Sequence, residues 1–116
     1  DIPIPDPEQQ KEEWLTFEST AYTAFCDSGC IGITRTGYDV SKTIYYDGMR
    51  IIAVDPDVIP LYSIVEVKTE NETFTAIALD TGGAIKGNRI DILMKTTDEA
   101  NTWGVREVKI RIVEGE

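Results

Sequence analysis

Near the carboxyl end, Val108, Ile110 and Ile112 alternate with Glu107, Lys109 and Arg111, the period of two that turns one face of a strand inward and the other to water. Shorter β-type runs broken by turn residues recur upstream: Phe17 to Ala24, Ile31 to Thr36, a pair flanking Asp47-Gly48, Ile64 to Lys68, Thr73 to Leu79 and Ile90 to Met94. Asn71-Glu72-Thr73 falls in a predicted hairpin turn. Between the last two strands, Thr96 and Glu99 form a capping box that opens a helix of one or two turns, and Gly104 stops it. Six or seven short strands in roughly 100 residues, with no helix long enough for a parallel crossover, predict an all-β fold built as a small closed or nearly closed barrel.

The amino end follows a different pattern. Asp1 to Pro7 hold three of the five prolines and predict an extended arm outside the core. Asp6 then stands at an N-cap position, with Pro7 at the first helical position and Gln9 three residues after the cap, so a short helix is expected from Pro7 to about Leu15, docked by Trp14 and Leu15. The expected division is an arm with a short helix over 1–16 and a barrel domain over 17–116. Such an arm could exchange between two copies.

Composition narrows the function. A chain of 116 residues is single-domain size and buries roughly two thirds of the surface that it exposes when unfolded. Its longest apolar runs, Ile51 to Val54 and Ile90 to Met94 with Asp91 inside, fall far short of a membrane span. Eleven basic residues against 21 acidic ones, for a net charge of -10, argue against binding nucleic acid or docking on anionic lipid. The absence of histidine removes Ser-His-Asp and Cys-His triads, His-ligated zinc and imidazole acid/base chemistry. Carboxylates, Lys, Tyr or Cys must carry any catalysis. Cys26 and Cys30 could close a small disulfide loop or stay as two thiols, and they make a poor zinc site without histidine. No metal or cofactor is expected. The start at Asp1, without Met or a signal peptide, predicts a processed chain or a piece of a longer parent.

The segment Asp80-Thr81-Gly82-Gly83-Ala84-Ile85-Lys86-Gly87-Asn88-Arg89-Ile90-Asp91 stands apart. It sets two carboxylates eleven residues apart on a glycine-rich connection whose backbone can approach a ligand closely. Between Ala84 and Lys95, Lys86, Arg89 and Lys95 outnumber Asp91, a locally basic rim that suits an anionic or hydroxyl-rich ligand. An EF-hand loop fails here, because Gly82 and Ala84 occupy ligand positions and Ile85 stands where glycine is required. A P-loop fails because Asn88 and Arg89 replace Lys and Ser/Thr. Asp80-Thr81-Gly82 matches the aspartic-protease signature, but only 34 residues follow Gly82, too few for the barrel that normally follows it.

The same segment closely resembles the three-aspartate (3D) domain of bacterial cell-wall proteins of the stationary-phase survival type, and the related core of membrane-bound lytic murein transglycosylase A. The resemblance covers Thr20-Ala21-Tyr22-Thr23, Thr36-Gly37, Ile52-Ala53-Val54-Asp55-Pro56 with Val58-Ile59-Pro60-Leu61, Asp80 to Asp91, and Glu99-Ala100 with Trp103-Gly104. The three naming aspartates fall on Asp55, Asp80 and Asp91. One departure is Tyr62, where the family pattern has glycine. The resemblance implies a six-stranded double-psi β-barrel and an extracytoplasmic, cell-wall setting. It also implies cleavage of the β-1,4 bond between N-acetylmuramic acid and N-acetylglucosamine without water as nucleophile.

In that chemistry the muramic acid's own C6 hydroxyl attacks C1. A single carboxyl then suffices, first protonating the leaving oxygen and later taking the hydroxyl proton. The resemblance gives this role to Asp91, with Asp80 and Asp55 in support as like charges or hydrogen-bond partners that keep it protonated near neutral pH. Lys86, the Gly82 and Gly83 amides, Thr81, Tyr22 and Thr36 are the expected substrate contacts on glycan strands. Plainer readings stand beside these. Asp55 before Pro56 can be a turn aspartate bonding its own backbone, Asp80-Thr81-Gly82-Gly83 can be turn chemistry, and Tyr22 and Trp103 can be packing residues. Alternation sends Asp91 to the face opposite Ile90 and Ile92, either harmlessly outward or into a site. A slow or non-cleaving glycan-binding barrel is the alternative function.

Overall fold

The computed structural model describes residues 14–24 and 32–114. Within them the chain forms seven strands and one helix: β1 (Leu15–Thr23), β2 (Tyr45–Tyr46), β3 (Met49–Ala53), β4 (Ile64–Lys68), β5 (Thr73–Asp80), β6 (Arg89–Met94), α1 (Thr97–Trp103) and β7 (Arg106–Glu114). Six of the strands close into a mixed barrel in the order β3-β5-β4-β7-β1-β6, with β6 returning to pair with β3, and β2 adds a hairpin to the start of β3. Two pairs are parallel, β1 with β6 and β3 with β5, and the rest are antiparallel. This closed mixed barrel agrees with a double-psi barrel. No helix among the described residues is long and apolar enough to cross a membrane.

Local chemistry explains most boundaries. Asp47 and Gly48 both take positive φ, 51° and 80°, as the two-residue turn between β2 and β3 requires. Thr96 caps α1 by accepting from the Glu99 amide, and Gly104, at φ 64°, returns its N–H to the Ala100 carbonyl. Trp103 anchors this helix by donating to the buried Ser19 hydroxyl at 3.0 Å, which itself donates to the Arg106 carbonyl, while the Arg106 guanidinium covers the indole at 4.3 Å. Trp103 is thus a packing residue.

Two expectations are corrected. The expected helix from Pro7 lies mainly outside the described residues, and it does not reach Leu15, which opens β1. Leu15 and Phe17 find backbone partners opposite Ile110 and Val108 on β7, and this pairing overrides the local helical pattern. Trp14, just before it, lies under Lys68 and Arg111, at 5.6 and 5.0 Å from its ring centre. The run Ile31 to Thr36 is not a strand across 32–36. Gly32 and Gly37 take φ of 78° and 91°, Thr34 and Gly37 spend their amides on local turns, and a single bridge joins Ile33 to Asp39.

Apolar side chains separate into two layers. Inside the barrel pack Phe17, Ile52, Val54, Val65, Val67, Ile90, Ile92, Val108 and Ile110 with their neighbours. On the outer face of β3, β5 and β6, Ile51, Ile77, Leu79 and Leu93 are covered by Val40 and Ile44 from the segment between β1 and β2. Burying each of those two covering side chains contributes roughly 1.5–3 kcal/mol. The described part of that segment, residues 32–44, is therefore a second wall of the molecule.

Candidate functional site

Asp91 lies on that covered outer face. Its neighbours Ile90 and Ile92 point into the barrel, and alternation turns Asp91 and Leu93 the other way. Ala53 on β3 stands between the two carboxylates, in register with Asp91 on one side and with Asp80 on the other, after a register shift at Ile52/Ala53. Asp80, Ala53 and Asp91 thus form one row across three strands, with the two acidic backbones about 10 Å apart. The parallel pairing adds Thr20 opposite Asp91 and puts Tyr22 two residues further along the same face.

The two carboxyls are held differently. Asp91 accepts one hydrogen bond through Oδ1, from the Thr20 hydroxyl at 2.9 Å. Its half-buried position pushes its pKa above the ordinary carboxylate value. Thr20 and the Arg89 guanidinium oppose that shift, and the charge of Asp80 adds to it. Asp80 is clamped. Its Oδ1 accepts from the backbone amides of Arg35 at 2.8 Å and Thr81 at 2.9 Å, and its Oδ2 accepts from the Tyr22 hydroxyl at 3.0 Å. Burial drives the Tyr22 phenol far above its usual range, and the Asp80 and Asp91 charges reinforce this, so Tyr22 acts as a fixed hydrogen-bond donor.

Asp55 belongs to a different constellation. Its Oδ2 accepts from the Gly87 amide at 2.8 Å and its Oδ1 from the Asp57 amide at 3.0 Å. These bonds, Gly87 foremost, lower its pKa, with a smaller contribution from Lys86. Asp55 pins the connection between β5 and β6 to the end of β3. The plain turn reading of this residue is realised, with a cross-chain bond added. The like-charge influence on Asp91 comes from Asp80, and Asp55 is not among its main causes.

The remaining expected contacts divide as well. Lys86 is exposed and neighbours Asp55, while Arg89 is the cation that influences Asp91. Arg89 also lies 3.6 Å from Glu18 in a surface ion pair. A Cβ at Gly82 would sit 2.9 Å from the Ile85 side chain, which plugs the loop, so Gly82 answers to packing; at Gly83 the same Cβ would meet open space. Thr36 donates to the Leu79 carbonyl at 2.8 Å and docks the covering segment beside Asp80. Thr81 serves Asp80 through its amide. Thr20 and Arg89 were missed as site residues, although alternation along β1 puts Thr20 on the same face as Tyr22. Among the described residues no three Asp, Glu, Cys or His side chains converge in a way that could hold a metal ion.

A mixed six-stranded barrel with three such aspartates defines a recognisable class. The model of the 3D domain matches residues 50–114, and the chain belongs to that family. It is 64% identical over 92 residues to the SPbeta prophage-derived uncharacterized protein YorM of Bacillus subtilis (strain 168), covering 79% of this chain and 39% of that protein. It is 45% identical over 105 residues to the cell wall-binding protein YocH of the same organism, covering 90% of this chain and 34% of that one. The chain therefore spans well under half the length of these relatives. Among solved structures, MltA from E. coli superposes with a TM-score of 0.55 at 19% identity, over 72% of this chain and 28% of that one. The Streptomyces papain inhibitor superposes at 0.60 and 18%, over 89% and 96%. At these identities the likeness is one of fold.

Proposed function

We propose that the chain is a peptidoglycan-directed domain that works outside the cytoplasm at the cell wall and cleaves glycan strands lytically. The observation that carries this reading is Asp91, a half-buried carboxyl with a raised pKa and one orienting hydrogen bond from Thr20, beside the clamped, charged Asp80. A carboxyl that keeps its proton at higher pH is a better general acid. In the proposed reaction Asp91 protonates the glycosidic oxygen as the C1–O4 bond of the muramic acid residue breaks. The ionised Asp91 then takes the proton of that sugar's C6 hydroxyl as the oxygen bonds to C1, leaving a 1,6-anhydro sugar and regenerating the acid. Asp80, with Tyr22 fixing one of its oxygens, supplies negative charge on the side of the developing oxocarbenium ion. Gly83, at an open position of the loop, is the sterically free backbone approach for a sugar.

MltA's identity as a lytic transglycosylase and YocH's name as a cell wall-binding protein both support a cell-wall ligand. They also mark a second reading, in which the barrel holds glycan without cutting it. Mass spectrometry of purified sacculi after incubation with the protein separates the two. Anhydro-muramyl products are expected. Reducing-end products would move the protein to the hydrolases, and bound but undigested sacculi would favour the binding module.

A further inference from the structure

Beyond the row of aspartates, where β1 and β6 run out side by side, a groove of about 330 Å³ opens against the covering segment. Lys42 and Lys95 line it, with five hydroxyl side chains and an apolar floor that includes Val40, Ile44 and Met94. No Asp or Glu is among the described residues that line it, in a chain with 21 acidic and 11 basic residues. Neither lysine takes part in either of the two ion pairs among the described residues. Two acidic residues border the lining in sequence, Asp39 beside Val40 and Asp98 beside Thr97; Asp39 is engaged by the Ser41 amide and hydroxyl at 2.9 and 2.6 Å, and Lys42 reaches it only as a minor influence. By alternation Ala24 and Lys95, which line the groove, fall on the face of Thr20 and Asp91, four residues and about 13 Å further along the two strands, whose parallel register runs as far as Thr23 and Met94. A ligand bound at Asp91 therefore meets the groove one step further along one continuous face.

We infer that this groove is a separate binding site for a carboxylate-bearing peptide branch carried by the glycan. Two cations that form no ion pair among the described residues, in an otherwise acidic protein, create a local positive field that an uncharged sugar would leave unused. The apolar floor accommodates short aliphatic side chains between the carboxylates of a peptide, whereas a bare phosphodiester chain has nothing to place on Val40, Ile44 and Met94. The lysines are exposed, so their contribution depends on salt. The site rests on the glycan reading only for the position of the sugar backbone. Its peptide contacts stand on the groove itself.

The test is calorimetric titration of the full chain with three probes: glycan strands that carry their peptides, the same strands stripped by an amidase, and the released acidic peptide. Stripped strands are expected to bind about tenfold more weakly than peptide-bearing ones, the scale of one charge-assisted contact. The Lys42→Gln/Lys95→Gln double variant should abolish that difference and leave binding of stripped strands unchanged; both side chains are exposed, so the fold is retained, which a melting curve checks. Equal affinity of the wild type for the two kinds of strand would overturn the inference, as would a double variant that keeps the preference. Displacement of the released peptide by a glycerol-phosphate polymer that binds more tightly would also overturn it. If neither strand binds but the released peptide still does so through the two lysines, the glycan reading fails and the groove stands.

Discussion

Asp55 and Asp91 are the same residue type and both belong to the motif that names the family, yet their surroundings push them in opposite directions. Asp55 sits at a turn where two backbone amides aim at its oxygens, so its charged form is stabilised and its pKa falls. Asp91 sits on a covered strand face with one hydroxyl partner, so burial outweighs the hydrogen bond and its pKa rises. The first environment suits a structural fastener and the second a proton donor. Equal prominence in a motif therefore does not mean an equal role. Asp80 falls between them, clamped like Asp55 but placed in the row with Asp91.

The most severe way to break this contrast is Asp91→Asn. The amide keeps the shape and still accepts from Thr20 but cannot donate the proton, so turnover on sacculi should fall by roughly 100-fold or more. Near-normal turnover would remove Asp91 from the acid/base role. The same variant should be more stable than the wild type at neutral pH. A carboxyl whose folded pKa is raised costs stability as pH rises from its unfolded value, about 3.9, through the folded one, and the amide escapes that cost. The difference in melting temperature should vanish below about pH 4.

Asp55→Asn should act on stability with the opposite sign. Both Asp55 oxygens accept from N–H groups, so an amide sets its own NH2 against one of them, and the melting temperature should drop by several degrees at neutral pH. Because the folded pKa is lowered, the wild-type advantage is present above the unfolded carboxyl value and is lost as pH falls through the folded one. An Asp55→Asn protein as stable as the wild type at pH 7, but lacking activity, would merge the two roles. A finer contrast lies around Asp91 itself. Asp80→Asn removes a like charge and should shift the acid-donor limb of the pH-rate profile down, while Arg89→Gln removes an opposing cation and should shift it up. Shifts in the same direction would show that these charges do not act on Asp91.

Much of the fold that carries this contrast was already legible in the chain. Alternation gave Ile64 to Lys68 and the final strand closely, the capping box gave α1, and Asp47-Gly48 gave the hairpin, because each is set by neighbours within a few residues. What stayed hidden depends on distant partners. Leu15 is a strand residue only because β7 lies beside it, and the parallel pairings leave no local mark. Ile31 to Thr36 reads as a strand by hydrophobicity, yet residues 32–36 belong to a covering layer whose Val40 and Ile44 are buried against a sheet without belonging to it. For Asp91 the two readings weighed were a harmless outward position and an inward site. The structure turns it outward from the barrel and leaves it half-buried on the face whose neighbouring Leu93 is covered by the second layer.

Tyr62 sharpens the comparison from the Asp55 side, with the smallest effect. It follows the turn that Asp55 organises, and it holds φ at 73°, the left-handed conformation that glycine adopts freely, while its amide donates to the Ala78 carbonyl at 2.7 Å. A tyrosine at this position, where the resemblance leads to an expectation of glycine, therefore keeps the turn at the expense of backbone strain. Half the side chain is exposed, so removing it forfeits little burial. Tyr62→Gly relieves about 1–2 kcal/mol of left-handed strain and loses roughly 0.5–1 kcal/mol to the greater freedom of the unfolded chain. A net gain of about 0.5 kcal/mol is expected by denaturant unfolding, with turnover and its pH profile unchanged. A loss of stability would mean that the tyrosine ring contributes packing that outweighs the strain. A change in the pH profile would mean that the turn region at Asp55 is coupled to Asp91 after all.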